Sequence, residues 1–412
     1  MSAMKRLFQL MADKSASDIF LAVGAPINIK INGVAMPVNQ TIMTADTVRQ
    51  LLYEILTEKQ IREYEDEMEL NVGYSLQGVG SFRISAFRQK QSPAVVVRYI
   101  PGSIPPLDGL GLPPILKEVI MQKRGLLLMV GATGSGKSTS LAAMLDYRNS
   151  LQSGHILTLE DPVEYIFTNR KSIVNQREIG TDTKAFYVAL RNALRQAPDC
   201  ILIGEIRDKE TMAMALAYAQ SGHLCLATLH ANNSYHAMNR IINFYPLENR
   251  PSLLLDLAAT LQAVVSQRLV RTKTGRRAAA VEVLLNTRHV QELIQKGEIN
   301  EIKEALEKSM APGSQTFEQA LFKLFMEGTI TQDEALSNAD SATNMLWLIN
   351  QATAGGDTTG DVAGDGAGDQ DHEVLSGDGE AAPARRKEDS TEDPFSRTGD
   401  ITQFRDIKID LE

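Results

Sequence analysis

The chain has few cysteines and no long apolar segment. Its 412 residues include only Cys200 and Cys225, each inside an apolar run, so we expect two buried, reduced thiols. Two cysteines cannot form a four-thiolate zinc site. No run of eighteen uncharged apolar residues occurs, and residues 1–11 lack the apolar core and cleavage site of a signal peptide. These absences predict a cytoplasmic protein without zinc and without a membrane-spanning helix.

Broad positive charge is also missing. The formal net charge is −9, and residues 355–412 contain 16 acidic and 6 basic residues, which leaves 36 basic and 35 acidic residues elsewhere. A near-neutral body without a basic, aromatic-interleaved stripe lacks the cationic contacts on which nucleic-acid binding depends. We therefore expect no nucleic-acid partner. A DNA translocase stays an alternative, because such a motor would carry the same glycine-rich phosphate-binding pattern that this chain has at 131–138. DNA-stimulated ATPase activity would favour it.

The pattern of apolar residues divides the chain into four segments. Residues 1–100 combine an amphipathic helix with strands of alternating polarity, which predicts a small α+β domain. The Pro- and Gly-rich residues 101–114 are typical of a linker. Residues 115–350 contain short, continuously apolar runs such as Leu126–Val130, so we predict an α/β domain with a parallel sheet between helices. The Gly-, Asp- and Ala-rich residues 351–412 are expected to form a disordered acidic tail.

A glycine-rich loop follows the strand predicted at Leu126–Val130 and precedes a predicted helix. Its glycines allow backbone N–H groups to turn toward phosphate oxygens, and the helix N-terminus adds its positive end. Lys137 would reach the β- and γ-phosphates of ATP, and Ser138 would bind Mg²⁺. The predicted nucleotide-binding residues are Gly131, Ala132, Thr133, Gly134, Ser135, Gly136, Lys137, Ser138 and Thr139.

Two carboxylates follow other predicted strands. Glu160 and Asp161 come after a strand at 155–159, where open α/β sheets place ligands, so Glu160 could polarise an attacking water. A polar loop cap is the alternative for this pair. Glu205 ends the apolar strand that begins at Cys200, which is the acidic element expected near Mg²⁺ opposite a phosphate loop.

Two arginines and two histidines are further candidates. Arg191 and Arg195 lie i, i+4 on a helix predicted at 183–196, so they could reach a phosphate or a neighbouring subunit, or form a solvated face. His223 and His230 flank one apolar strand and could respond to the γ-phosphate. A structural role is the alternative for each histidine, and neither has the nearby ligands that zinc requires.

Four motifs in this order resemble those of the secretion-superfamily ATPases, which power type II secretion and type IV pili. They are the loop 131–139, the acidic segment 158–164, Gly204-Glu205-Ile-Arg-Asp208 and Ser221-Gly-His-Leu-Cys-Leu-Ala-Thr-Leu-His230. Asn175-Gln-Arg-Glu178 and Ala189-Leu-Arg-Asn-Ala-Leu-Arg195 are similar to the PilT-like retraction branch. That branch lacks the four-cysteine zinc module of its relatives.

The resemblance implies a PAS-like N-terminal domain and a RecA-like ATPase domain, assembled as a homo-hexamer. It also implies that Glu160 is the general base, that Glu205 is the Walker B acid, and that His223 and His230 are His-box residues. Arginines of the N-terminal domain would approach the phosphate, and Arg83, Arg88 and Arg98 are the candidates here. Expected partners are a PilT-like ATPase and the pilus platform protein at the inner membrane.

One segment departs from the retraction motors of this branch. Those motors carry an Ala-Ile-Arg-Asn-Leu-Ile-Arg stretch, whereas this chain has Val290-Gln-Glu-Leu-Ile-Gln295 without the arginines. The difference favours an accessory retraction ATPase that works beside a PilT-like partner. The alternatives are a regulatory or adaptor ring and a type II secretion ATPase.

Overall fold

A computed structural model describes residues 2–31, 33–100, 103–309 and 311–354. The acidic tail predicted at 351–412 therefore lies outside the described residues from position 355 onward. Within the described part, no helix is long and apolar enough to cross a membrane. Cys200 and Cys225 are free and buried, as their apolar surroundings predicted.

The N-terminal region forms an antiparallel sheet with helices packed on it. Its helices are Ala3–Asp13 (α1), Ala45–Tyr53 (α2) and Glu58–Glu67 (α3), and its strands are Asp18–Ala22 (β1), Asn28–Ile31 (β2), Val34–Pro37 (β3), Glu69–Leu76 (β4), Gly80–Gln89 (β5) and Ser92–Ile100 (β6). The strand order is β3-β2-β1-β6-β5-β4. Alternation along β5 buries Phe82 and Ile84 and exposes Arg83. Phe8 of α1 stacks on Phe82 with ring centroids 4.1 Å apart, which joins helix and sheet in one core.

The second sheet contains seven strands in the order β13-β12-β7-β11-β10-β8-β9. They are Gly125–Val130 (β7), Gly154–Glu160 (β8), Ser172–Glu178 (β9), Cys200–Ile203 (β10), Leu224–Leu229 (β11), Leu261–Arg271 (β12) and Arg277–Leu285 (β13). All neighbours are parallel except β12 and β13. Every residue of β7, β10 and β11 is buried, so the continuously apolar runs did predict strands covered on both faces. The predicted α/β class with a parallel sheet is confirmed.

Helices cover this sheet and continue to its C-terminal side. They are Ile115–Ile120 (α4), Lys137–Leu151 (α5), Phe186–Ala193 (α6), Lys209–Gln220 (α7), Ser234–Asn243 (α8), Arg250–Thr260 (α9), Arg288–Lys296 (α10), Glu301–Glu307 (α11), Phe317–Met326 (α12), Gln332–Asn338 (α13) and Ala342–Ala354 (α14), with short 3₁₀ turns at Leu107–Leu110, Leu194–Gln196 and Leu247–Asn249. The C-terminal helices are separate because Thr316 and Thr331 cap new helix N-termini. Leu107, in the segment predicted as a linker, is buried in the core of the second sheet.

The helix predicted at 183–196 is shorter in the structure. Thr183 forms an isolated bridge with Ile179, and its carbonyl accepts from the N–H of Gly180, so the helix begins only at Phe186. After Ala193 the backbone continues as a 3₁₀ turn. Arg191 and Arg195 therefore do not lie on one regular α-helix.

Candidate nucleotide-binding site

Four parallel strands end at the same edge of the second sheet, and a cleft lies there. Parallel strands carry the residues that follow them to one edge, where α/β sheets bind ligands. The residues that follow β7, β8, β10 and β11 thus converge on a cleft of about 360 Å³. Its walls include Thr133, Gly134, Lys137, Ser138, Glu160, Glu164, Tyr165, Glu205, Arg207, His230 and, from the N-terminal sheet, Arg83.

The phosphate loop is tightly folded around its own backbone. Gly136 caps α5 with φ of 88°, a left-handed conformation that favours glycine. A Cβ atom at Gly131 would lie 2.4 Å from Oγ of Ser135, so only glycine fits there. Thr133, Gly134, Lys137 and Ser138 line the cleft. Ala132 and Ser135 line a second cavity on the other side of the loop, and Thr139 shares a 2.8 Å hydrogen bond with the Tyr165 hydroxyl.

The donors of this loop fit a bound polyphosphate. Lys137 is buried, and its ammonium donates to the carbonyls of Gly131 and Ala132 at 2.7 and 2.8 Å. Burial lowers the pKa of Lys137, and the nearby charges of Glu205 and Glu164 oppose that shift. The buried hydroxyl of Ser135 has no hydrogen-bond partner among the described residues. An orphaned hydroxyl and a lysine that donates only to carbonyls are suited to phosphate oxygens.

Glu160 ends β8 as a nearly buried carboxylate that faces the cleft. Its Oε1 accepts hydrogen bonds from Thr158 Oγ1 at 2.6 Å and from Gln176 Nε2 at 3.2 Å. Burial raises the pKa of Glu160, and these two hydrogen bonds act in the opposite direction. A carboxylate with a raised pKa, held at the cleft, has the properties of a general base.

Replacing Thr158 by valine tests this electrostatic balance. Thr158 stabilises the charged form of Glu160, so its removal should raise the pKa of that carboxyl further. Because a general base acts when deprotonated, the acid limb of the kcat–pH profile should move to higher pH. Steady-state rates across the acid range measure the limb. An unchanged limb, or a shift to lower pH, would contradict the prediction that Glu160 is the general base.

Glu205 lies in an ionic network at the same edge. Its Oε2 accepts from Arg207 Nε at 2.6 Å, and its Oε1 lies 3.4 Å from His230 Nε2. Arg207 also pairs with Asp161 at 3.4 Å and so connects the two acidic segments. Burial and the charge of Lys137 lower the pKa of His230, while Glu205 opposes the shift. His230 therefore lines the same cleft as Lys137 and Glu205 and is subject to the charges of both.

Oxygen donors for Mg²⁺ lie on both sides of this cleft. Ser138 and Glu205 line it from the loop and from the end of β10. Hydroxyl and carboxylate oxygens are the ligands Mg²⁺ prefers, together with water and phosphate oxygens. No group of three or more His, Cys, Asp or Glu side chains in the described ranges could hold a metal ion. The donor set thus fits a metal that shares its ligands with a nucleotide, not an all-protein site.

His223 does not reach this cleft within one chain. It precedes β11, whereas His230 follows it, so the two lie at opposite ends of the strand, about 23 Å apart at 3.3 Å per residue. The His223 ring is near the Ser221 hydroxyl and the Tyr218 carbonyl. The pair of histidines predicted to act on one phosphate is thus separated by the length of the strand.

The arginines predicted to reach the phosphate also separate. Arg83 on β5 lines the cleft, whereas its cross-strand neighbour Arg98 donates to Asp18 at 3.0 Å. Arg88 forms an ion pair with Glu65, away from the cleft lining. Arg191 and Arg195 are exposed, and neither forms an ion pair with another residue in the described part of the chain. Among these five arginines, the structure brings only Arg83 to the phosphate loop.

Sequence patterns missed two residues of this site. Arg207 is part of the motif that contains Glu205, but its link to Asp161 depends on the pairing of β8 with β10. Gln267 touches the phosphate loop from β12, more than a hundred residues away, and its contacts follow from the strand order alone. Arg207 could have been found from the sequence, because it lies two residues from Glu205 in the same motif. No sequence pattern pointed to Gln267.

Comparison with known proteins connects this geometry to a family. The model of the family described as type II/IV secretion system protein matches residues 2–337. The type IV pilus ATPase PilU of Pseudomonas aeruginosa is 48% identical over 84% of this chain and 91% of its own length. The pilus retraction ATPase PilT of the same organism is 37% identical over 82% of this chain and 98% of its own length.

A solved structure agrees with these relatives. The crystal structure of the pilus retraction motor PilT with bound ADP superposes with a TM-score of 0.79 at 37% identity and covers 84% of this chain and 99% of its own. The chain belongs to the type II/IV secretion system protein family and, within it, is similar over most of its length to the PilU and PilT pilus ATPases.

Proposed function

We propose that this chain hydrolyses MgATP and uses the free energy to assist type IV pilus retraction beside a PilT-like ATPase. The observation that carries the proposal is the convergence of Lys137, Glu160 and Glu205 on one cleft at the end of the parallel sheet. The similarity to PilU over most of both chains supports the type IV pilus as the system in which this ATPase acts. The protein would act in the cytoplasm, at the inner face of the inner membrane, through pilus components.

In the proposed reaction each side chain has a separate task. Lys137 exchanges its loop carbonyls for β- and γ-phosphate oxygens, and Glu160 accepts the proton of the water that attacks the γ-phosphorus. Mg²⁺, when bound by Ser138 and Glu205, supplies charge neutralisation at the phosphates. Arg83 adds a cation on the side of the N-terminal sheet, where charge develops on the transferring group.

The proposed assembly is a homo-hexameric ring with a PAS-like N-terminal domain (residues 1–100), a linker (101–114) and a RecA-like ATPase domain (115–350). The position of Arg83 is consistent with a nucleotide-dependent movement of the first domain relative to the second. This arginine lies on β5 of the N-terminal domain, yet it lines the cleft of the ATPase domain. Such a contact would change with the charge in the cleft. Arg98, Arg191, Arg195 and His223 lie elsewhere in the single chain, so we propose them as candidates for contacts with a neighbouring subunit.

A regulatory or adaptor ring is the second candidate function. It is favoured by α10, where Gln291 and Gln295 replace the arginines of the retraction motors. The same helix still buries an apolar face, formed by Val290, Leu293 and Ile294. The difference from the retraction motors is therefore the loss of two positive charges, not the loss of the buried face. The intact Glu160 and Glu205 favour the hydrolysing ring instead.

Retraction measured with and without the PilT-like partner separates these functions. We expect pilus retraction to stop when the partner gene is deleted and to weaken when this chain alone is deleted. Retraction that survives on this chain alone would contradict the accessory role. Complementation with a Lys137→Ala variant then tests hydrolysis, because full rescue would favour the adaptor ring over the ATPase.

A further inference from the structure

Gln267 lies beside the phosphate loop although it is distant in sequence. Strand β12 runs parallel to β7, with Ser266 opposite Val130. Gln267, the next residue of β12, therefore lies beside Gly131, the residue that follows β7. The Gln267 side chain is 3% exposed. A buried amide at this position must find hydrogen-bond partners within the protein.

Both ends of this amide are bonded to the phosphate-binding segment. Nε2 donates to the carbonyl of Ser135 at 2.9 Å, and Oε1 accepts from the hydroxyl of Ser140 at 2.7 Å. Only this amide orientation works with Ser135, because a flipped amide would place two oxygens against each other. Ser135 is in the loop and Ser140 is in the first turn of α5. One side chain thus fixes the loop relative to the helix that follows it.

Two glycines of the loop are shaped around the same residue. A Cβ atom at Gly136 would lie 2.6 Å from Nε2 of Gln267, and one at Gly131 would lie 2.6 Å from its main-chain oxygen. Any larger residue at either position would displace Gln267 or the loop. Gly131 and Gly136 are therefore needed for the close packing of Gln267 against the loop, in addition to any role in binding phosphate.

The strand that carries Gln267 is anchored on both sides of it. Ser266 donates to the buried carboxylate of Glu282 at 2.9 Å, and Glu282 also accepts from the N–H of Ser234 at 2.7 Å. Arg268 forms an ion pair with Asp340, which precedes α14. These neighbours hold β12 in place, so the amide is a fixed point against which the loop is positioned.

We propose that Gln267 is a positioning residue that holds the phosphate loop in its nucleotide-binding conformation. It acts through the loop backbone and through Ser140, not by chemistry on the nucleotide. The inference rests on the proposed nucleotide binding. It predicts that loss of the amide weakens binding of any nucleotide with a diphosphate, ADP included.

The test replaces Gln267 by methionine, which keeps the length of the side chain and removes both hydrogen bonds. We expect ADP to bind about tenfold more weakly to the full chain and KM for ATP to rise by a similar factor, because two buried hydrogen bonds position the loop. The value of kcat should change less than KM, since bound nucleotide still meets Glu160. Calorimetric titration with ADP and steady-state phosphate release provide the two readouts.

Gln262→Met is the matched control. Gln262 is on the same strand but packs against Gly125 at the opposite edge of the sheet, so its replacement should leave ADP affinity unchanged. Equal weakening in both variants would overturn the proposal, because the effect would then be general. So would an ADP affinity of Gln267→Met within about twofold of the unaltered chain.

Ser140→Ala keeps the proposal testable if Gln267→Met does not fold. This change removes one of the two bonds of the amide and should weaken ADP binding by about threefold. Unchanged affinity in Ser140→Ala would overturn the positioning role. Failure of the unaltered chain to bind ADP would instead overturn the proposed function.

Discussion

Replacing Lys137 by alanine is expected to reduce ATP turnover by about a thousandfold, to the background of the assay. The ammonium is buried at the cleft and, among the described residues, donates to the Gly131 and Ala132 carbonyls, so its hydrogen bonds are available for exchange with phosphate oxygens. Alanine leaves neither the charge nor the donors. Phosphate release by the purified full chain, at saturating ATP and Mg²⁺, measures the loss.

Lys123→Ala is the control for this experiment. Lys123 is exposed and lies two residues before the start of β7, at the end of the strand opposite the phosphate loop. The control should keep the full rate, because exposed surface substitutions have small effects. Comparable rates in Lys137→Ala and Lys123→Ala would contradict the assignment of this loop as the phosphate site.

Replacing Glu160 by glutamine is expected to lower kcat by about 10²–10⁴-fold while ATP still binds. Glutamine retains the size of the side chain and can still bond to Thr158, but it cannot accept a proton from water. Glu160 lies at the end of β8, where it is buried and has a raised pKa. The substitution therefore removes the proton acceptor and leaves the rest of the cleft in place. Single-turnover rates and equilibrium ATP binding separate the two effects.

The control for Glu160→Gln is a carboxylate outside the cleft. Glu118→Gln changes an exposed carboxylate on α4 and should leave both kcat and binding intact. A variant that loses ATP binding together with turnover would show that Glu160 holds the loop or the metal. A variant with an unchanged kcat would assign the proton to another acceptor.

The central part of the fold could be read from the sequence because its signals are local. The run Leu126–Val130 is apolar throughout and is buried throughout, and the glycine-rich loop that follows begins α5. Glu160 and Glu205 were predictable for the same reason, since each ends an apolar strand. Parallel pairing then carries them to one edge without any further information.

The parts that could not be predicted depend on pairing across the chain. Arg83 and Arg98 are equivalent as residue types, yet Asp18 on β1 engages Arg98 and leaves Arg83 at the cleft. His223 and His230 are close in sequence but separated by a strand, whose extended geometry places them at opposite edges. Gln267 reaches the loop only because β12 pairs with β7.

Arg207 shows how the two acidic segments are coupled. Its hydrogen bond to Glu205 raises the pKa of Arg207, and its other contact is Asp161, next to Glu160. A guanidinium shared between two carboxylates fixes the ends of β8 and β10 relative to each other. A movement of either carboxylate would therefore shift Arg207 and, through it, the other carboxylate.

The most direct test of Glu160 as the proton acceptor is the identity of the nucleotide bound to Glu160→Gln after one turnover with radiolabelled ATP. We expect the unaltered chain to convert bound ATP to ADP, whereas the glutamine variant should bind the label and retain it as ATP. ADP formed by Glu160→Gln at the rate of the unaltered chain would contradict this role of Glu160. It would mean that the cleft at the end of β8 is not where the attacking water loses its proton.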